Sequence, residues 1–281
     1  EPLDHFDFDT AMPEILDING APTDWTRSMA DITVSYDALS RKHGVTVVKD
    51  MVASIDTTRK VAVLASGPSI RYDKLVLSPG IELMFDGVAG LKEAHAQGRI
   101  LQAWKAGAET VALRRQLESM PDGGVYALTV PEAPYRCPPG PYERACQVAS
   151  YFKAAKPRSK VLVLDANPDV TSKGALFKKV WAEQYKGIIE YRNNSEVKDV
   201  EVATNTAVLE FDKFKADVLN VIPPHRAGDI AHKSGIKLVN NRWVDINWQS
   251  MESTSTPGIH VLGDAIFPAP TMPKSGHMAN Q

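Results

Sequence analysis

An α/β fold follows from three features of this 281-residue sequence. Gly124 to Val130, Tyr142 to Lys156 and Lys160 to Asp165 read as strand, helix and strand, a parallel βαβ unit. Short strands between Val45 and Tyr72, broken by turn residues, read as a small antiparallel meander. Two apolar strands, one ending in Pro79-Gly80 and one in Gly263-Asp264, lie about a domain's length of sequence apart and would end at one crevice of a doubly wound sheet. The expected architecture is two dinucleotide-binding-type, Rossmann-like domains, the first incomplete and carrying the meander. Residues 1–120 form the first, 121–250 the second, and 251–281 return to the first.

The elements follow in order. Residues 1–30, rich in Asp and Pro, read as loop with room for one helical turn. Met29 to His43 reads as an amphipathic helix stopped by Gly44. The meander takes Val45 to Lys49, Met51 to Ile55, Lys60 to Ala65 and Ser69 to Tyr72, with turns at Asp56-Thr57-Thr58 and Ser66-Gly67-Pro68. Asp73 to Gly80 is a buried strand stopping at a tight turn. Ala103 to Met120 reads as a helix burying Trp104, Leu113 and Leu117, and Pro121-Asp122-Gly123-Gly124 marks the domain boundary. Beyond the βαβ unit, Ala175 to Gln184 is a helix and Val197 to Phe211 a strand pair turning near Thr204-Asn205. Ala216 to Ile222 and Gly258 to Ala265 are strands. No internal repeat interrupts the pattern.

Composition narrows the function classes. A net charge of −2 with scattered Lys and Arg gives no basic face, which argues against nucleic acid as a partner. No apolar run approaches the roughly 18 residues that span a bilayer, and no signal peptide opens the chain, which reads as mature or truncated. The two cysteines, Cys137 and Cys146, form neither a disulfide framework nor a Cys-x-x-Cys pair, and the seven His show no metal-type spacing.

The turn inside the βαβ unit carries the chemistry. A nucleotide-binding turn is Gly-rich, so that bare N–H groups approach a pyrophosphate. Here it holds Pro131, Pro134, Pro138, Pro139 and Pro141, which have no N–H to donate. A pyridine nucleotide is therefore not expected there, although Asp165 stands where a ribose-binding acid would. Cys137 in the same turn is either a buried structural thiol or a thiolate favoured by the helix N-terminus and Arg136 or Arg144. Glu143 is either a first-turn acid favoured by the helix dipole or a proton relay. Cys146 falls about two turns inside the helix, away from Cys137. Of the five Trp, Trp104 alone is placed near a cofactor.

At these residues the chain resembles a known family. Tyr72-Asp73-Lys74-Leu75-Val76-Leu77-Ser78-Pro79-Gly80 and Thr256-Pro257-Gly258-Ile259-His260-Val261-Leu262-Gly263-Asp264 look like the two-part signature of FAD-dependent disulfide-reductase-type flavoproteins. Arg136 to Arg144, with Ile222 to Gly228 and Met272 to Gly276, resembles the flavoprotein subunit of flavocytochrome c sulfide dehydrogenase from about Arg41 onward. The resemblance implies FAD, sulfide oxidation through a redox-active cysteine disulfide beside the flavin, and electron delivery to a c-type cytochrome subunit in the periplasm. It implies that Cys137 is the first redox cysteine and Glu143 a nearby acid. By the same likeness Ser78, Pro79, Gly80, Gly263, Asp264 and Lys274 line the flavin, where a Lys274 cation would stabilise its reduced, anionic form.

Departures from the family pattern are as specific. Ile266 stands where the partner cysteine follows the Gly-Asp-Ala turn, and the spacing to Met272 differs by one residue. The Gly-rich FAD fingerprint, the flavin-tethering cysteine and the C-terminal domain have no counterpart among these residues. An internal disulfide cycle is therefore not expected, leaving a single-thiol persulfide route. The expected function is a FAD-dependent oxidoreductase subunit acting on sulfide or another reduced sulfur compound. The alternative is a cofactor-free structural or binding subunit derived from the same fold; an NAD(P)H-linked flavin reductase is disfavoured by the prolines.

Overall fold

The computed structural model describes residues 33–268. They fall into two compact units, one of Met84–Pro224 and one of Thr33–Leu83 with His225 onward. Lys274 and the Met272 to Gly276 motif lie outside the described residues.

The discontinuous unit begins with α1 (Asp37–His43), closed by Gly44 at φ 64°. The helix is shorter than the predicted Met29–His43, because Thr33 to Ser35 are not helical and the residues before them are not described. The antiparallel meander is β1 (Val52–Asp56), β2 (Val61–Leu64) and β3 (Ser69–Arg71), in that spatial order. Val45 to Lys49, predicted as a further strand, form no strand and pair with none of the described sheets. Val45, Val47 and Val48 are exposed, so β-branched propensity without a partner strand makes no ladder. β4 (Leu75–Leu77) and β5 (Ile81–Leu83) follow, flanking the Pro79-Gly80 turn.

The continuous unit opens with a short 3-10 turn (Phe85–Gly87), α2 (Leu91–Ala96) and α3 (Ala108–Ser119). The predicted helix from Ala103 starts five residues late. Ala103 sits at φ 44°, a left-handed conformation that no helix interior tolerates. Then come β6 (Val125–Val130), α4 (Gly140–Ala155), β7 (Lys160–Asp165), α5 (Gly174–Glu183) and β8 (Ile189–Arg192). A small antiparallel sheet of β9 (Asp199–Glu201), β10 (Thr206–Val208) and β11 (Lys213–Lys215) precedes β12 (Val218–Val221). The main sheet is all parallel, in the order β12-β6-β7-β8. Its alternate side chains serve two cores. Tyr126, Leu128, Val161, Val163 and Val218 join Leu113, Leu117, Tyr142, Val148 and Phe152 on one face. Ala127, Leu162, Leu164, Leu219 and Val221 join Leu91, Ile100, Val200 and Ala207 on the other. A sheet covered on both faces explains why its strands read as continuous apolar runs.

The chain then returns to the discontinuous unit with β13 (His225–Ala227), α6 (Asp229–Lys233), β14 (Leu238–Val239), β15 (Trp243–Val244) and β16 (Ile259–Val261). β16 lies parallel to β4, and β13 antiparallel to β5. Their core gathers Ile55, Leu77, Trp243, Val244, Ile259, Val261 and Ile266.

Candidate functional site

Cys137 lies on the turn between β6 and α4, and it is exposed, which removes the reading as a buried thiol. Its backbone is left-handed, φ 56°, a conformation that costs a residue with a Cβ about 1–2 kcal/mol. The turn holds it there. The Gly140 N–H donates to the Cys137 carbonyl at 3.0 Å, the Tyr135 hydroxyl to the Pro138 carbonyl at 3.0 Å, and the Trp104 indole N–H to the Arg136 carbonyl at 3.2 Å. Pro141 occupies the first turn of α4, where a missing N–H is no loss. A Cβ added at Gly140 would stand 2.8 Å from the Trp104 ring edge and 3.0 Å from Cys137 Sγ, so thiol and indole both press on that bare position.

Beneath the turn lies Arg144, one helical turn into α4 and 0 % exposed. Its guanidinium donates to the carbonyls of Gln102 (3.0 Å) and Ala103 (2.6 Å) and to Asn220 Oδ1 (2.7 Å), and it lies 5.0 Å from the Trp104 ring centroid. Such charge-assisted bonds and a desolvated cation–π contact are what keep a buried charge tolerable. Burial pushes the Arg144 pKa down, opposed by electrostatic attraction to Tyr126, Cys137 and Glu109. Cys137 thus stands within electrostatic reach of a buried cation. Asn220 completes the cradle: its Nδ2 donates to the Leu101 and Gln102 carbonyls, and its Oδ1 also accepts from Tyr126 OH at 3.0 Å. Sequence reading had missed Asn220, Gln102 and Glu109. The available signal was Asn220, a polar residue set between the apolar pairs Val218-Leu219 and Val221-Ile222.

Glu143 stands half-buried in the first turn of α4, three residues from the helix start, with its N–H donating to the Pro139 carbonyl at 3.0 Å. Cys146 faces elsewhere. Its Sγ accepts the Trp181 indole N–H at 3.2 Å, and burial pushes its thiol up to about 11. No disulfide joins it to Cys137.

At the end of β7, Asp165 is fully buried and its carboxylate is engaged. Oδ2 accepts from the hydroxyls of Tyr142 (2.7 Å) and Tyr191 (3.0 Å), and Oδ1 from the Asn167 backbone N–H (2.9 Å) and Nδ2 (2.7 Å). In the position of a ribose-binding acid, this one is occupied by the protein's own side chains.

The described residues that the resemblance assigns to a flavin, Ser78, Pro79, Gly80, Gly263 and Asp264, sit in the discontinuous unit. β4 and β16 pair in parallel with Leu77 opposite Val261, so Ser78-Pro79-Gly80 and Gly263-Asp264 emerge side by side at the carboxyl ends of adjacent strands. Gly80 (φ 62°) and Gly263 (φ 69°) are left-handed, a conformation that suits glycine at both turns, and a Cβ at either would meet nothing within 4 Å. Gly228 packs beneath: its N–H donates to the Gly80 carbonyl at 3.0 Å, and a Cβ there would lie 2.6 Å from the Pro79 carbonyl oxygen. These residues fit a dinucleotide such as FAD. Ile266, in contrast, is a core residue that bridges Val244. Among the described residues, no group of three His, Cys, Asp or Glu can hold a metal, and no helix is long and apolar enough to cross a membrane.

Parallel sheets, an antiparallel sheet toward the N-terminus and glycine turns at strand ends define the class: an α/β, Rossmann-like fold that resembles those of flavoprotein reductases. The crystal structure of sulfide:quinone oxidoreductase from Aquifex aeolicus superposes with a TM-score of 0.75 at 19% identity, covering 95% of this chain and 62% of that one. Residues 110–223 match the model of the central region of the sulfide dehydrogenase (flavocytochrome c) flavoprotein chain. Mitochondrial sulfide:quinone oxidoreductase from Mus musculus is 25% identical over 235 residues, 79% of this chain and 50% of the relative. The Dictyostelium discoideum protein of the same name is 23% identical over 234 residues, again 79% and 50%. The chain therefore spans about half the length of the curated relatives it matches, and it is related to the sulfide-oxidising flavoproteins.

Proposed function

We propose that this chain is the flavoprotein part of a sulfide-oxidising enzyme, with FAD as cofactor, Cys137 as the sulfur-accepting thiolate and a c-type cytochrome as electron acceptor in the periplasm. The observation that carries the reading is Cys137, exposed on a strained turn within reach of the buried Arg144 cation. A cation favours a negative sulfur, both as thiolate and as persulfide. Ser78, Pro79, Gly80, Gly263 and Asp264 would hold the cofactor through open backbone and the Asp264 carboxylate, with Lys274 as a further cation. Bound, FAD supplies a two-electron acceptor.

Cys137 thiolate and hydrosulfide join through a new S–S bond, giving the Cys137 persulfide and releasing one proton and two electrons. Glu143, at the same end of α4, is the proposed proton acceptor. A c-type cytochrome, a one-electron acceptor, would take the two electrons one at a time. Because Ile266 is packed in the core, the persulfide is resolved by a second sulfur nucleophile from solution rather than by a partner cysteine. The occupied Asp165 carboxylate argues against a pyridine nucleotide as electron source.

The test is anaerobic addition of sulfide to the FAD-reconstituted chain. Bleaching of the flavin absorbance in the wild type and its loss in Cys137→Ser is expected; bleaching that survives the substitution refutes the thiol's role. A second reading, motivated by Ile266, is a cofactor-free subunit of the same fold, and a chain that retains no FAD under saturating cofactor would establish it.

A further inference from the structure

The carboxylate of Glu109 is placed where neither the thiol chemistry nor the fold alone requires it. Glu109 lies in the first turn of α3 and reaches back to the segment before the helix. Oε1 accepts the backbone N–H of Gln102 at 2.6 Å and of Ala103 at 3.1 Å, and Oε2 accepts Gln102 Nε2 at 2.5 Å. Gln102 Oε1 in turn accepts the Trp104 backbone N–H. This clamp shapes a segment whose Ala103 is left-handed, and its two carbonyls, Gln102 and Ala103, are the ones that hold the Arg144 guanidinium. The same segment presents Trp104 to the guanidinium and to the bare face of Gly140 beside Cys137.

We propose that Glu109 is the positioning residue of the Cys137 site: by clamping the Gln102–Ala103 backbone it fixes the carbonyl cradle that holds Arg144 within reach of the thiol. The inference rests on the reading of Cys137 as the reactive group. Glu109 touches no reacting atom; it acts through Arg144. The charged and titratable groups around this arrangement are Arg136 and Glu143 on the turn and α4, Tyr126 on β6, and His95 from α2, whose Nε2 lies 3.2 Å from Glu109 Oε1.

An ordinary first-turn acid stabilises a helix through its charge, and Asp serves there at least as well as Glu. The clamp needs the reach of Glu. Glu109→Asp keeps the charge and withdraws the oxygens by one methylene, whereas Glu109→Gln keeps the reach and one acceptor oxygen while removing the charge. The experiment is the pH profile of Cys137 alkylation by iodoacetamide, followed by mass spectrometry on the full chain without FAD or sulfide. Its outcome is thus independent of whether the chain oxidises sulfide. The midpoint should rise by about one pH unit in Glu109→Asp, a roughly tenfold slower alkylation on the acid side, and should not rise in Glu109→Gln. An unchanged Glu109→Asp profile, or an equal rise in both variants, overturns the positioning role.

Discussion

Gly140→Ala adds one methyl group at the point where thiol and indole converge. The position is helical, so backbone strain does not oppose the change, and replacing a helical glycine by alanine contributes up to about 1 kcal/mol. Against this, the new Cβ would meet the Trp104 ring at 2.8 Å and Cys137 Sγ at 3.0 Å, where overpacking typically costs about 1–3 kcal/mol. The indole cannot retreat easily. Its Nε1 is bonded to the Arg136 carbonyl, its backbone N–H to Gln102, and its face lies against Arg144. Cys137 Sγ is exposed and turns about one bond, so it is the group that yields. The expected net loss is about 1 kcal/mol, read as a fall of roughly 2–4 °C in melting temperature. With the sulfur moved from the cation, Cys137 alkylation at neutral pH should slow roughly threefold or more. A variant as stable as the wild type, with an unchanged alkylation rate, would falsify the packing of Trp104 and Cys137 against this residue.

Four further outcomes follow from the same geometry. Iodoacetamide at neutral pH should modify Cys137 and spare Cys146, whose thiol is held near 11 by burial; peptide mapping that finds both labelled equally contradicts this. Gly228→Ala drives a methyl group into the Pro79 carbonyl and should displace the Ser78-Pro79-Gly80 turn, weakening FAD retention measured by absorbance of the dialysed protein. Burial raises Tyr126 and Tyr142 from 10.0 to about 12 and Tyr135 and Tyr191 further still, so the unfolded chain ionises first; stability should fall as pH rises above about 10 and go on falling through 12, checked by urea melts across that range. Asp165→Leu leaves the hydroxyls of Tyr142 and Tyr191 and two Asn167 donors without their acceptor and should cost at least about 2 kcal/mol, measured by urea denaturation.

The βαβ unit was legible because its strands are buried on both faces and read as unbroken apolar runs; Lys160–Asp165 agrees to the residue. The helix within it begins at Gly140 rather than Tyr142, since Pro139 and Pro141 suit a helix start and not its interior. Three-residue strands such as Ile81–Leu83 and His225–Ala227 were invisible, because their only signal is each other and they lie far apart in sequence. Val45 to Lys49 shows the converse, strand-like composition with no partner. At the Cys137 turn the thiol and its prolines could be read directly. The Arg144 cradle could not, since its acceptors are mostly backbone carbonyls, which carry no residue identity. Ala103 to Gly107 misled for a related reason: helical propensity lost there to the reach of Glu109, a contact made only once the chain has folded.

The parallel bridge between Leu101 and Asn220 has a bearing on solubility. β12 ends the four-stranded sheet, and a bare edge of that kind is a template for pairing with another chain. Here the Leu101 carbonyl takes the Val221 N–H at 3.1 Å, and Asn220 Nδ2 ties down the Leu101 and Gln102 carbonyls. The segment that frames the guanidinium therefore also shields a strand from self-association. Substitutions that loosen it should send the protein toward aggregates at concentrations the wild type tolerates, so losses of activity there have to be separated from losses of monomer.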